Sequence, residues 1–455
     1  MEFADDPGVI LLGIVQHFCH EALFAPQFHQ PLEPLLQRRP WAWAALAAAL
    51  VLSLAVVVLL VRQLNVAALP PMAQAPAASA EQVQRGAYLA RAGNCAACHT
   101  ARGGEPYAGG HAINTPFGPV YAGNLTPDPA HGLGTWSADA FWRAMHHGQS
   151  RDGRLLNPVF PFESFTLISR EDSDALYAFL QSLPPVAQPN RPHGLRFPYN
   201  TQAALAVWRL LNFKPGRFQP DPAQSAEWNR GAYLVNGPAH CAACHSTRDA
   251  LGGASTTFGA DDLPGGHWFA PALSDPQQAG VQGWTTERIV ALLQLGSVEG
   301  ATVMGPMAEV VFHGTQHLRT EDLRAMAVYL QAVPPQPAPA VEFEAADASQ
   351  KALGEQLYQR HCVDCHGAQG QGAVGAYPPL AGNRAVTMAS SVNPVQAILS
   401  GGFAPATAGH PQPYGMPPFR TLLNDTEVAA VAGFIRQSWG NQAGAVSSLD
   451  VQRVR

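Results

Sequence analysis

The sequence predicts a mainly α-helical chain, with three tandem helical domains behind one N-terminal membrane-spanning helix. Three observations carry this. Residues 41–61, "WAWAALAAALVLSLAVVVLLV", contain Ser53 as their only polar side chain. A short segment recurs three times, as "RGAYLARAGNCAACH" at 85–99, "RGAYLVNGPAHCAACH" at 230–245 and "LGEQLYQRHCVDCH" at 353–366. Each copy is closed, about a hundred residues later, by an amphipathic stretch: "DALYAFLQSLPP", "DLRAMAVYLQAVPP" or "EVAAVAGFIRQSWG". Repetition on this scale means tandem domains rather than a solenoid.

The N-terminal elements come first. At about 1.5 Å per residue the apolar run spans roughly 31 Å, enough to cross a bilayer's hydrocarbon core. Arg38 and Arg39 before it and Arg62 after it favour a cytoplasmic N-terminus. A cleaved signal peptide ending at "ASA", 78–80, fits less well, because the run is too long and stops well before that site. Residues 1–40 are therefore expected as a cytoplasmic segment and 41–62 as the transmembrane helix. Within 1–40, "VILLGIVQHF" (9–18) is too short to span and Cys19 reads as an ordinary thiol. An Ala/Pro-rich linker follows at 63–80.

The repeats set the remaining boundaries: domain 1 at 81–190, a connector at 191–225, domain 2 at 226–337, domain 3 at 347–440 and a C-terminal tail at 441–455. The connector holds "LRFPYNTQAALAVWRLLNFKPGRF", whose centre fits an apolar helix packing two domains together. In each repeat a glycine (Gly86, Gly231, Gly354) precedes the cysteines, and it predicts a close crossing by an aromatic of the closing helix: Phe179, Tyr329 or Phe434. Acidic residues in "SREDSDA", "RTEDLRA" and "NDTEVAA" suit the starts of those closing helices.

Composition excludes some functions. Net charge is −6 with 13% charged residues, and no basic stripe is present, so nucleic acid is not an expected partner. Of seven cysteines, six sit in the repeated motif as Cys95, Cys98, Cys241, Cys244, Cys362 and Cys365, which leaves no disulfide framework.

Cys-x-x-Cys-His is the spacing of c-type haem attachment, in which two thiols form thioethers to one porphyrin and the next residue faces the iron. A thioredoxin-like pair needs no following histidine, and a zinc site needs further ligands. The expected cofactors are thus three haem c groups in three cytochrome-c-like domains, with His99, His245 and His366 as proximal iron ligands. For the sixth ligand, Met416 in "PYGMPPF" and Met307 in "VMGPMAEVV" are the candidates of the third and second domains. Met388 and Met304 read as packing residues. The first domain reads "NPVFPFESF", with Phe160 where a methionine would stand, and phenylalanine cannot ligate iron. Met145, His146 and His147 in "FWRAMHHG" remain as candidates, or that iron is five-coordinate.

With "RGAYL", "GNLTPD" (123–128), "SRDG" (150–153), "GPMAEVV" (305–311) and "SWGN" (438–441), residues 81–440 resemble the triheme cytochrome c subunits of membrane-bound dehydrogenases of acetic acid bacteria and their relatives. The resemblance implies a non-catalytic electron-transfer subunit. It also implies a partner subunit that oxidises an alcohol, gluconate, sorbitol or aldehyde, and delivery of electrons to ubiquinone or the respiratory chain. Phe160 and the N-terminal helix depart from the alcohol-dehydrogenase type. They look more similar to subunits accompanying molybdopterin dehydrogenases, especially aldehyde dehydrogenase with its iron–sulfur small subunit, than to those serving a quinoprotein. The expected location is the cell inner membrane, single-pass, with the haem domains on the periplasmic side. Two other classes are carried forward: a tethered carrier or cytochrome c subunit feeding a terminal oxidase, and an independent haem enzyme with an open iron at His99. "SRDG" reads equally well as a polar turn.

Overall fold

The computed structural model describes residues 40–64, 78–338 and 343–455, apart from 256, 265 and 266. Cys19, the segment 9–18 and most of the linker lie outside these residues. Helices of seven residues or more are numbered in chain order. The first, α1 (Pro40–Leu64), forms a unit of its own; its stretch Trp43–Val61 is long and apolar enough to cross a membrane. Its side chains are largely exposed, Leu50 by 64% and Val51 by 68%, as suits an apolar solvent.

Residues 64–455 form the second unit. It is mainly α, as expected, and its described sheet is limited to four two-stranded antiparallel ribbons. Its helices are α2 (Ala80–Ala92), α3 (Ala138–His147), α4 (Arg170–Gln181), α5 (Gln202–Asn212), α6 (Ala226–Asn236), α7 (Thr286–Leu295), α8 (Pro306–His313), α9 (Thr320–Ala332), α10 (Ala348–His361), α11 (Val392–Ser400), α12 (Asp425–Gln437) and α13 (Ser448–Val454).

Three helix pairs organise this unit: α2 with α4, α6 with α9, and α10 with α12. Each pairs the helix before a Cys-x-x-Cys-His motif with the closing helix of the same repeat, and each is embedded in its own apolar cluster. The glycines explain how the pairs approach. A Cβ on Gly86 would lie 1.9 Å from the carbonyl oxygen of Ala175; one on Gly231, 1.9 Å from that of Ala325; one on Gly354, 2.2 Å from that of Ala430. The close neighbour is thus a backbone carbonyl one turn before the expected aromatic, with the Phe179 and Phe434 side chains only second at 2.7 Å.

Helix starts mostly follow the sequence. Ser169 caps α4, and Asn424 with Glu427 forms a capping box on α12. Arg319, at the start of α9, provides no side-chain cap. There the acidic Asp322 has another task, and so does Asp172 of α4.

The two "RGAYL" motifs are cross-linked through these aspartates. Arg85 pairs with Asp172 of its own repeat at 2.6 Å, while Tyr233 of the next repeat donates to the same carboxylate at 2.5 Å. Reciprocally, Arg230 pairs with Asp322 at 2.7 Å and Tyr88 donates to Asp322 at 2.5 Å. The arginine holds the home carboxylate and the tyrosine reaches across, once in each direction. Burial alone would raise the Asp322 carboxyl, but the hydrogen bonds from Arg230 and Tyr88 prevail and hold it down to about 2.

The third repeat lacks this motif. Tyr358 stays within its own unit, fully buried, donating to the Gly367 carbonyl at 2.6 Å. Contact with the second repeat includes Arg384, whose backbone N–H donates to Gly300 O (3.0 Å) and whose guanidinium donates to Gly280 O (2.7 Å), and Asn393, whose side chain accepts from the Phe269 N–H and donates to Phe269 O (both 2.9 Å). Arg384 and Arg288 also face the Trp284 ring, at 4.8 and 3.9 Å from its centroid. Residues 441–455, expected as a tail, carry α13 at Ser448–Val454, whose Val451 and Val454 are buried in the third cluster.

Two outcomes test this packing. Gly231→Ala places a methyl group against a carbonyl and should destabilise the protein by about 1–3 kcal/mol. Gly283→Ala, with nothing within 4 Å, should leave the thermal midpoint unchanged. Asp322→Asn should cost about 2–3 kcal/mol at neutral pH. Because the folded-state carboxyl titrates below its usual value, the wild-type advantage in thermal melts should be complete above 3.8 and fade as pH falls toward about 2.

Candidate functional site

The three motifs sit on tight turns at the ends of α2, α6 and α10. Cys95–His99 and Val363–His366 are single α-helical turns, and Cys241–Ala243 is a 3₁₀ turn. In either geometry residues i and i+3 share one side, so the two thiols of each pair face the same way. The backbone enters the first two turns in the left-handed region, at Asn94 (φ 48°) and His240 (φ 38°). Asparagine and histidine tolerate that region better than most residues.

None of the six thiols is in a disulfide. Burial pushes Cys95 and Cys241 up to about 12, and Cys98 and Cys362 up to about 11. A redox-active pair needs the opposite, a lowered thiol. Raised thiols of this kind do not suit thioredoxin-like chemistry. Among the described residues no group of three or more His, Cys, Asp or Glu is placed to hold a metal ion.

The histidines share a feature the sequence reading missed. His99 Nδ1 lies 2.7 Å from Gly123 O, His245 Nδ1 2.7 Å from Pro271 O, and His366 Nδ1 3.1 Å from Pro378 O. A carbonyl can only accept, so Nδ1 carries the proton in each ring and the lone pair is left on Nε2. Burial lowers all three imidazoles and keeps them neutral. A neutral, oriented ring with a free lone pair is what an axial iron ligand requires. The residues thus fit a covalently held haem in each repeat.

A sequence signal for these carbonyls exists. Each is followed two residues later by a leucine, Leu125, Leu273 or Leu380, packed against the cluster of its repeat. In the first repeat "GNLTPD" is the buckle. Asn124 donates to Val186 O (2.8 Å) and Gln188 O (3.1 Å), while its side-chain oxygen accepts from the Thr126 N–H (2.9 Å) and hydroxyl (2.7 Å). This fixes the Gly123 carbonyl under His99.

A cavity of about 1780 Å³ opens beside the first motif, lined by Cys95, Cys98, His99, Met145 and Phe160 and reaching Cys244 of the second. That exceeds the usual 300–1,000 Å³ of a small-ligand site. His146 and His147 do not line it. His146 is buried with its ring stacked on Trp142 at 4.5 Å, and its other neighbour is His147 at 4.6 Å. Met145 is buried between the first cluster and this cavity.

The first two sites adjoin. His240 Nε2 lies 3.0 Å from Gly93 O, and α8, which carries Met307, packs against Cys95–His99. Ionised Cys244 and Glu309 would each repel a Cys98 thiolate, which adds to its raised value. Met307 is half-buried in the first turn of α8, and Met416 is half-buried in a two-residue strand against the third cluster. Met388 is buried, and its carbonyl accepts from the buried Arg436 at 3.0 Å, as a packing residue would. "SRDG" forms a turn gripped by Arg143, which donates to Ser150 O (2.9 Å) and Arg151 O (2.8 Å).

The cytochrome c family profile matches residues 83–184 and 351–439, the first and third repeats. The cytochrome c subunit of a quinone alcohol dehydrogenase from Gluconacetobacter polyoxogenes is 37% identical over 405 residues, covering 84% of this chain and 86% of that one. The gluconate 2-dehydrogenase cytochrome c subunit of Pantoea cypripedii is 36% identical over 396 residues, covering 82% and 89%. The fructose dehydrogenase cytochrome subunit of Gluconobacter japonicus is 32% identical over 430 residues, covering 88% and 87%. A solved thiosulfate dehydrogenase from Marichromatium purpuratum covers 81% of this chain and 72% of that one at 17% identity, with a TM-score of 0.19, too low to bear on the fold.

Proposed function

The chain belongs to the family of cytochrome c subunits of dehydrogenases, and from that premise we propose that it carries electrons from a catalytic dehydrogenase subunit, through three covalently bound haems, to ubiquinone at the membrane. The observation that carries the haem count is the threefold recurrence of one arrangement: a Cys-x-x-Cys pair on a single turn, followed by a neutral histidine anchored through Nδ1. Cys95 and Cys98, Cys241 and Cys244, and Cys362 and Cys365 would hold the three groups. His99, His245 and His366 would bind from one side, and Met307 and Met416 would close the other side of the second and third. A c-type haem supplies reversible one-electron chemistry at an iron whose potential its axial ligands and surroundings set.

The protein's part is to place these groups, exclude water and fix the neighbours. The domain boundaries at 81–190, 226–337 and 347–440 follow from one such arrangement per helix pair. For the first site Met145 is the proposed sixth ligand, because it shares the cavity with His99 while His146 and His147 do not line it. Phe160 beside it is the observation behind the alternative, an iron open to small molecules. The helix α1 supports a single-pass anchor in the inner membrane, with 81–440 on the periplasmic side. Phe160 also supports the subtype proposal, a molybdopterin aldehyde-oxidising partner with an iron–sulfur subunit rather than a quinoprotein.

Purification of the full chain through a tag in mild detergent should bring down a large dehydrogenase subunit in fixed stoichiometry; recovery alone or with oxidase subunits would overturn the conduit reading. Intact mass should show three haem additions, and replacing both cysteines of any one motif by alanine should remove one and leave two. Carbon monoxide should leave the reduced wild-type spectrum unchanged and bind after Met145→Leu. Binding to the wild type at one haem in three would instead establish the open iron.

A further inference from the structure

The connector helix α5 presents the wrong residues to water. Its only charged side chain, Arg209, is 4% exposed; it donates to His147 O at 2.6 Å and lies over the rings of Phe162 and Phe213 at 5.4 and 4.8 Å. Trp208 is buried too, donating to Leu251 O at 3.0 Å. The exposed face consists instead of Ala203, Val207, Leu210 and Leu211, spaced at i, i+4, i+7 and i+8, with Leu211 also bordering the cavity beside the first motif. Leu211 is 66% exposed, and Phe197, just before the helix, is 82% exposed. A helix meeting water would carry the reverse pattern.

The charges carried by the segment itself have one sign, with the exposed Asp249 beside Asn212 at the end of α5. Residues 195–220 contain Arg196, Arg209, Lys214 and Arg217 and no aspartate or glutamate, in a chain whose net charge is −6. Arg196, Lys214 and Arg217 are exposed. An apolar helix face flanked by exposed basic residues is the pattern of a segment lying in a membrane interface, its side chains in the acyl boundary and its cations among anionic headgroups.

We propose that α5 and the preceding Phe197 are a second, interfacial membrane contact, with an anionic bilayer surface as the occupant. The inference rests on the anchoring reading of α1 for proximity. Even fully extended, residues 65–79 reach no further than roughly 50 Å, so the bilayer is the one apolar phase to which the chain is covalently tied. The contact would turn one defined side of the first repeat toward the lipid.

The test uses the full haem-loaded chain, with Cys19→Ser, in nanodiscs of phosphatidylcholine with or without phosphatidylglycerol. Nitroxide labels are attached at Val207→Cys, at Leu211→Cys and, as an aqueous control, at Gln224→Cys. The ratio of oxygen to nickel-chelate accessibility should rise several-fold at 207 and 211 over 224, more so with phosphatidylglycerol. An aqueous reading at 207 and 211 in both compositions would overturn the proposal. So would shielding that appears only when the dehydrogenase subunit is added or only at high protein concentration, since a protein would then be the occupant. Equal shielding with and without phosphatidylglycerol would overturn the role of the basic residues. Alkaline extraction of the same samples reports on α1 separately: a chain that stays with the lipid while 211 stays aqueous removes this inference and leaves the anchor standing.

Discussion

Backbone contact between two helices is the constraint from which each repeat is built. Where Gly86, Gly231 and Gly354 meet the carbonyls of Ala175, Ala325 and Ala430, no side chain separates the helices. Such a contact fixes spacing and register far more tightly than interdigitating side chains can. The first helix of each pair runs directly into a Cys-x-x-Cys-His turn, so the crossing also determines where the two thiols and the histidine are held. On the far side, the loops carrying Gly123, Pro271 and Pro378 return to anchor the imidazole. Between these fixed points the first repeat encloses open volume instead of packed side chains, as expected of a fold shaped around a large prosthetic group.

The three repeats are not equivalent. The first two share "RGAYL" and exchange tyrosines across their boundary, so each completes the other's buried aspartate. The third has neither the arginine nor the tyrosine in those positions, and it docks through Arg384 and the Trp284 ring. The arrangement is a pair plus one. The pairing brings the first two Cys-x-x-Cys-His turns together, with His240 against Gly93 and α8 against Cys95–His99. Electron passage between closely placed centres benefits from that kind of fixed separation.

Much of this was legible in the sequence because it depends on local chemistry. The repeated cysteine motif, the crossing glycines and the apolar run at 41–61 are each visible in spacing alone. Other features depended on which residues meet in space. Nothing near Arg85 in sequence indicates that its Asp172 is shared with Tyr233. The orienting carbonyls belong to the backbone, which every residue has, and only the recurring leucine two positions later marks them. Met145 could be separated from His146 and His147 only when the cavity was visible, since three consecutive helical residues point in different directions. The closing segment 441–455 looked like a tail because it is short and polar at its start. Its Val451 and Val454 are buried only because the third cluster is there to receive them.

The reciprocal tyrosines have a consequence for how such a chain comes into being. A polypeptide delivered N-terminus first presents Asp172 well before Tyr233 exists to meet it, and Tyr88 waits still longer for Asp322. The first repeat can form its own helix pair early, with Arg85 on Asp172 Oδ1, but Oδ2 of that carboxylate lacks its Tyr233 donor until the second repeat has been made. Long-range partners of this kind delay closure until the intervening chain is available. Asp172 and Asp322 therefore gain their full sets of donors only once both of the first two repeats are present, whereas Tyr358 of the third bonds to Gly367, nine residues away.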